Sequence, residues 1–330
     1  MSSTPLPTSV TEPGEMDALS GTWFVSPTPF TPDGSVDPAG LAGIVEATSD
    51  WGVDGITVLG VMGEVSALSD VERDDVLTGI LRAAAGRIPV AVGCSSPSAS
   101  LTAQRISRAV SLGASAVMVS APTLLKDTDQ IAGFYRAACA GAGVPVIVQD
   151  EPAATGVPLP VSALLAALDA TGSTTVKLED PPTPPKITRL LAARPDLMVF
   201  GGLGGVSAYA ELRRGASGTM TGFAFPEILR ALRLAVEAGD LTVAAALFDR
   251  YLPYISFEGQ PVVGLGIRKE VLRRRGVITC ARTRNLRPDL DGITLAELDE
   301  VLRRVDLTPS RAALTVPTVS GVSAQSTVSA

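Results

Sequence analysis

The chain has 330 residues and not one histidine. That absence removes the commonest general base, the serine–histidine triads and the usual transition-metal ligand sets together. Cysteine is scarce as well. Cys94, Cys139 and Cys280 lie far apart, and no CxxC pair occurs. An odd count at wide spacing argues against a disulfide framework and suits a reducing cytoplasm. Positive charge is in short supply, with 27 Lys and Arg against 34 Asp and Glu and a net charge of −7. No basic surface for nucleic acid is indicated. No uninterrupted apolar run reaches the roughly 18 residues of a membrane span. Residues 1–19 are rich in Pro, Ser and Thr and lack the basic start and apolar centre of a signal peptide, so they read as a disordered arm. Residues 309–330, small and polar, read as a disordered tail.

What the chain does have is core-forming material. It is 46% hydrophobic and only 18% charged, ample for a sizeable core. One phrase keeps returning: a short apolar run, a turn, then a helix with its own cap. The runs fall at 22–27, 55–60, 88–93, 116–120, 145–150, 174–179, 197–201 and 218–222. Between them stand helix-start signals: Asp37-Pro38, the capping box Ser69-Asp70-Val71-Glu72, and Asp127-Thr128-Asp129-Gln130. Continuous apolar runs are what parallel strands buried on both sides require. Eight of them predict an α/β fold, a closed (β/α)8 TIM barrel over residues 20–225. An open doubly wound sheet is the alternative, disfavoured because the first strand lacks a GxGxxG turn. From 226 to 308 only helices are indicated, at 228–237, 241–254, 262–275 and 294–304, the last behind a box Thr294-Leu295-Ala296-Glu297. This reads as a C-terminal helical extension and a natural surface for self-association.

The most informative stretch is Thr174-Thr175-Val176-Lys177-Leu178-Glu179-Asp180. Strand alternation turns Val176 and Leu178 one way and Lys177 and Glu179 the other. A charged lysine is expensive to bury, but burial lowers an amine's pKa and suits a nucleophile that forms a Schiff base. The plainer alternative is a strand-end lysine paired with Glu179 or Asp180. In a barrel the reactive groups gather at the C-terminal strand ends. Those ends supply Gly60-Val61-Met62-Gly63-Glu64, Gln149-Asp150-Glu151 and Gly201. Gly60-Val61-Met62-Gly63 offers backbone N–H groups to a carboxylate, though a plain tight turn looks the same. The stretch Gly201–Gly205 carries part of a phosphate-binding pattern with no lysine after it. Glu151 shares a face with Gln149, and Glu64 reads either as a further site carboxylate or as a loop anchor.

Gly60-x-x-Gly63-Glu64 after strand two, with a lysine on strand six 28 positions beyond Gln149, resembles the dihydrodipicolinate synthase / N-acetylneuraminate lyase superfamily. The likeness covers about residues 20–305. It implies a class I aldolase-like lyase in which Lys177 forms an imine with pyruvate or another small 2-oxo acid. It also implies that the Val61 and Met62 backbone holds the acid's carboxylate. No metal or organic cofactor is implied, because the imine is the electron sink, and the assembly implied is a homodimer or homotetramer. The sequence departs from the family at four places, one being Pro122-Thr123-Leu124-Leu125 where an aromatic segment follows strand four. Val61 and Met62 stand where a threonine pair is usual, Gln149 where the relay tyrosine stands, and Ala154 where an arginine holds a second carboxylate. These departures point away from dihydrodipicolinate synthase itself and leave Glu179 as the acid–base candidate beside Lys177. Two alternatives stay open: an enzyme in which Lys177 acts as base or anion holder, and a non-catalytic barrel that binds a 2-oxo acid.

Overall fold

The computed structural model describes residues 19–125, 127–284 and 289–315. Its eight strands are β1 (Gly21–Val25), β2 (Gly55–Val58), β3 (Val90–Gly93), β4 (Ala116–Ser120), β5 (Val146–Asp150), β6 (Thr175–Leu178), β7 (Met198–Gly201) and β8 (Gly218–Thr221). All pair in parallel in chain order, and β8 closes on β1. The helices between them are α1 (Pro38–Asp50), α2 (Asp70–Ala84), α3 (Ala99–Leu112), α4 (Thr128–Cys139), a single turn α5 (Pro152–Thr155), α6 (Val161–Thr171), α7 (Thr183–Ala193) and α8 (Ala208–Leu212). After β8 come α9 (Pro226–Glu237), α10 (Leu241–Glu258), α11 (Gly264–Arg274) and α12 (Gly292–Arg304). The (β/α)8 barrel with added C-terminal helices is the expected fold. Among the described residues no helix is long and apolar enough to cross a membrane.

Alternation along each strand builds two cores. Trp23, Val25, Ala91, Met118, Ile147, Phe200 and Met220 fill the barrel interior, with Trp23 and Phe200 edge to face at 6.2 Å. Their neighbours in sequence, among them Phe24, Val92, Val148, Val176 and Leu178, belong to the layer between sheet and helices. Val176 and Leu178 are fully buried there, and each contributes roughly 1.5–3 kcal/mol. That anchoring fixes β6 so that the intervening Lys177 must face inwards.

The expected caps at Asp37, Ser69 and Asp127 are present, the second as a full box with Glu72. Three expectations need correction. The last helix does not start behind Thr294: Asp291 is its cap, accepting from Thr294 N at 2.7 Å, so Thr294 lies within the first turn. A carboxylate is the better acceptor for those unpaired N–H groups, and it sits one turn earlier. The extension does not begin at 226 either. On α9, Arg233 reaches Thr22 Oγ1 at 3.4 Å and Asp54 Oδ2 at 3.1 Å, so α9 is the barrel's own eighth helix. Finally, the tail expected from 309 is anchored at its start. Ser310 O accepts from Arg275 Nε at 2.8 Å, and Arg311 O accepts from Trp51 Nε1 at 3.0 Å. The buried Arg275 guanidinium, stacked on Trp51, supplies the donor that a polar tail lacks a core to replace. The expected arm and the rest of that tail lie outside the described residues, apart from Leu19.

Candidate active site

At the C-terminal end of the barrel lies a cavity of about 590 Å³. Lys177 is in its wall, 4% exposed. The β5–β6 register sets Gln149 beside Lys177, and their side chains converge on Glu179. Its Oε2 lies 2.9 Å from Lys177 Nζ and accepts from Gln149 Nε2 at 2.8 Å. Strand β6 stops at Leu178, but Glu179 N still donates to Asp150 O at 2.8 Å, which continues the ladder by one bond. This keeps Glu179 on the Lys177 face. Room for it comes from Gly202, where any Cβ would run into the Glu179 side chain.

Glu151 lines the same cavity. Burial pushes its carboxyl up to about 7, the nearby Glu179 charge adds to the rise, and Lys177 opposes it. Gly60, Val61 and Met62 also line the cavity. Val61 and Met62 open a single 3-10 turn, Val61–Gly63. N–H groups in a first turn have no partner within the helix.

The other residues expected here lie elsewhere. Gly63 faces the segment just after β1, and its carbonyl accepts from Thr28 Oγ1 at 2.7 Å. Glu64 turns away from the cavity. With a left-handed backbone (φ 53°) it buries its carboxylate against Lys269 Nζ at 2.5 Å, and Arg284 N donates to its second oxygen at 2.7 Å. It is a loop anchor, tied to α11. Gly201 presents its α-carbon to Glu211 of α8, behind the sheet, and not to the cavity. Asp150, one residue from Gln149, points outwards to Lys186 (2.5 Å), which also holds Asp180 (2.9 Å). That outer pairing of Asp150, Asp180 and Lys186 braces the ends of β5 and β6.

Sequence reasoning missed Arg268 and Glu258. Arg268 comes from α11 and lines the cavity. Its Nε donates to Glu258 Oε1 at 2.8 Å, and its Nη1 lies 2.8 Å from Met62 Sδ. Glu258 is fully buried and also accepts from Tyr254 Oη at 2.6 Å and Ala224 N at 3.1 Å. Helical periodicity marks α10 and α11 as amphipathic but gives no sign that their polar side chains reach across the barrel mouth. Also missed was Glu211, 1% exposed, hydrogen-bonded by Thr183 Oγ1 on one oxygen and without a partner on the other. Burial pushes it up to about 7.

A buried amine in the wall of a barrel mouth, beside a carboxylate that follows its strand, is suited to imine chemistry. Comparison with known proteins gives the family. The family model described as the dihydrodipicolinate synthetase family matches residues 18–294, and the chain belongs to that family. It is thus a lyase of the Schiff-base class. An L-2-keto-3-deoxyarabonate dehydratase of Azospirillum brasilense is 33% identical over 293 residues, 87% of this chain and 94% of that protein. A 4-hydroxy-tetrahydrodipicolinate synthase of Xanthomonas axonopodis pv. citri is 31% identical over 267 residues, 79% of this chain and 86% of that one. Among solved structures, the dihydrodipicolinate synthase of Rhodopseudomonas palustris superposes with a TM-score of 0.83 at 32% identity, covering 87% of this chain and 97% of that chain.

Proposed function

We propose that this lyase dehydrates a small 2-oxo-3-deoxy acid bearing a hydroxyl at C4. Lys177 condenses with the C2 carbonyl and releases water. The imine acidifies the C3 hydrogens; one is removed to give an enamine, whose electrons return to expel the C4 hydroxyl as water. Hydrolysis of the imine then frees Lys177 and an unsaturated 2-oxo acid. The carbon skeleton stays intact. Glu179 takes the C3 proton and gives it to the departing hydroxyl, because both lie next to the imine that forms 2.9 Å away. The backbone of Val61 and Met62 holds the C1 carboxylate.

The observation that carries this reading is the Lys177–Glu179–Gln149 contact. It puts one proton carrier beside the amine and an amide, which cannot shuttle protons, at the relay position. The 33% identical relative named as a dehydratase supports the same reaction type. The test is borohydride reduction with pyruvate and with 2-oxo-3-deoxy acids, followed by mass measurement of peptides and products. The expected result is an adduct on Lys177, lost in Lys177→Ala, and a product lighter by one water. An adduct on Lys186, or cleavage into pyruvate and an aldehyde, overturns the proposal. In the same reading the protein works in the cytoplasm as a homodimer or homotetramer.

A further inference from the structure

We infer that Arg268 holds the hydroxylated end of the substrate, and that the site takes 2-oxo acids with one carboxylate and rejects those with a second carboxylate at the far end. This deepens the dehydratase reading and rests on it.

The cavity is larger than a three-carbon acid needs. Beyond Lys177 its wall continues through Leu203, Gly204, Gln260, Pro261 and Arg268. The Arg268 side chain is only 10% exposed, and just one edge of it is well satisfied. Nε is bonded to the buried Glu258 carboxylate, which fixes the plane of the guanidinium. The remaining edge has a poor partner. Nη1 faces a thioether, Met62 Sδ, which is a weak acceptor. Nη2 lies against Gly204, where a Cβ would come within 2.9 Å and where φ is +66°. A side chain at 204 would therefore close off this edge. A desolvated guanidinium with its outer donors on a thioether and a bare backbone is built to receive oxygen acceptors that arrive with a ligand.

Charge decides which oxygens. Arg268 is already neutralised by Glu258, and Lys177 by Glu179. Glu151 adds a third carboxyl to the same cavity. Once Lys177 is spent on the imine and the C1 carboxylate is in place, a second substrate carboxylate would face these groups with no unpaired cation to meet it. Hydroxyl groups accept from the Nη edge without that repulsion. The position where a family arginine would hold a second carboxylate is Ala154, and it also lines this cavity.

The experiment compares the full-length protein with Arg268→Met and Arg268→Lys. Three ligands are used: pyruvate, a five-carbon 2-oxo-3-deoxy acid ending in CH2OH, and the five-carbon acid with a terminal carboxylate in its place. The half-saturation of borohydride trapping is read for all three, and kcat and KM for the two longer acids. Loss of a charged hydrogen bond predicts that Arg268→Met raises the KM and trapping half-saturation of the hydroxylated acid by about 10–100-fold. Pyruvate half-saturation should shift by less than about threefold, the scatter of a contact not made. Arg268→Lys keeps the pairing with Glu258 but loses the fork, and should fall between, which guards against a merely unfolded Met variant. In the unmutated protein the dicarboxylate should bind at least about tenfold more weakly than the hydroxylated acid. Parallel weakening of pyruvate would mean that Arg268 serves the C1 carboxylate, and a preference for the dicarboxylate would reverse the charge argument. Either overturns the inference. If the hydroxylated acid is trapped but loses no water, the dehydratase reading fails while the trapping data still judge Arg268.

Discussion

Glu179 Oε2 receives two donors at once, Lys177 Nζ at 2.9 Å and Gln149 Nε2 at 2.8 Å. In the proposed mechanism the carboxylate is thereby oriented by a group that reacts, Lys177, and by one that does not, Gln149. In that mechanism, conversion of Lys177 to an imine would leave Gln149 holding Oε2 and Oε1 free for the substrate.

Glu179→Gln should therefore separate binding from turnover. The variant should still trap a 2-oxo acid on Lys177, because the amine is untouched. Turnover should fall by roughly 10²–10⁴-fold, the usual worth of a positioned acid–base group. Unchanged turnover would transfer the role to Glu151, whose carboxyl titrates near pH 7 in the same cavity.

Condensation of pyruvate with aspartate semialdehyde should be negligible. Val61, Gln149 and Ala154 all line the cavity, and none offers a phenol, a relay hydroxyl or a guanidinium. Lys177 should still be trapped with pyruvate in the same preparation. A coupled synthase assay showing robust turnover would mean that other groups, Glu179 first among them, replace all three.

Strand–helix recurrence made the barrel legible, because parallel strands buried on both faces must be apolar throughout, and eight such runs admit few closures. Lys177 was legible for the opposite reason: it interrupts such a run. Glu64 was legible only as to its loop. Its direction is set by a left-handed backbone and by Lys269, 205 residues away, which no local pattern encodes. The same holds for Arg268. Its contacts with Met62 and Gly204 exist only once α11 is folded over the barrel mouth.

Lys269→Met should destabilise the fold strongly. Lys269 and Glu64 are both fully buried, 2.5 Å apart. Removing the cation leaves a buried carboxylate short of its partner, a change that costs about 3–5 kcal/mol. Adding Glu64→Gln should recover part of the loss in denaturant unfolding, and a double-mutant cycle measures how much. Additive losses would show that the two side chains do not depend on each other.

Glu211 should leave a signature in stability against pH. Its carboxyl is raised from 4.5 to about 7 by burial. The folded chain then binds more protons than the unfolded chain between those values, so stability falls as pH rises through that window. The contribution is present below about pH 4.5 and is lost above about pH 7, on the order of 3 kcal/mol in all. Glu211→Gln should flatten the slope of unfolding free energy from pH 5 to 8 relative to the parent. An unchanged slope would show that the carboxyl is ionised at no such cost.

Arg268 and Lys269 are consecutive residues of α11, yet only Arg268 lines the cavity. Lys269 grips Glu64 at the end of the Gly60–Glu64 loop, while Arg268 stands over Met62 in the same loop. Loop and helix are therefore tied to each other at two points, and Lys177 of β6 lines the same cavity. In the proposed reading the loop holds the acid's head and Arg268 its tail, so a substitution that tilts α11 would displace both together, and longer or shorter substrates should be reached by re-seating this one helix sooner than by changing any residue that touches the reacting carbons.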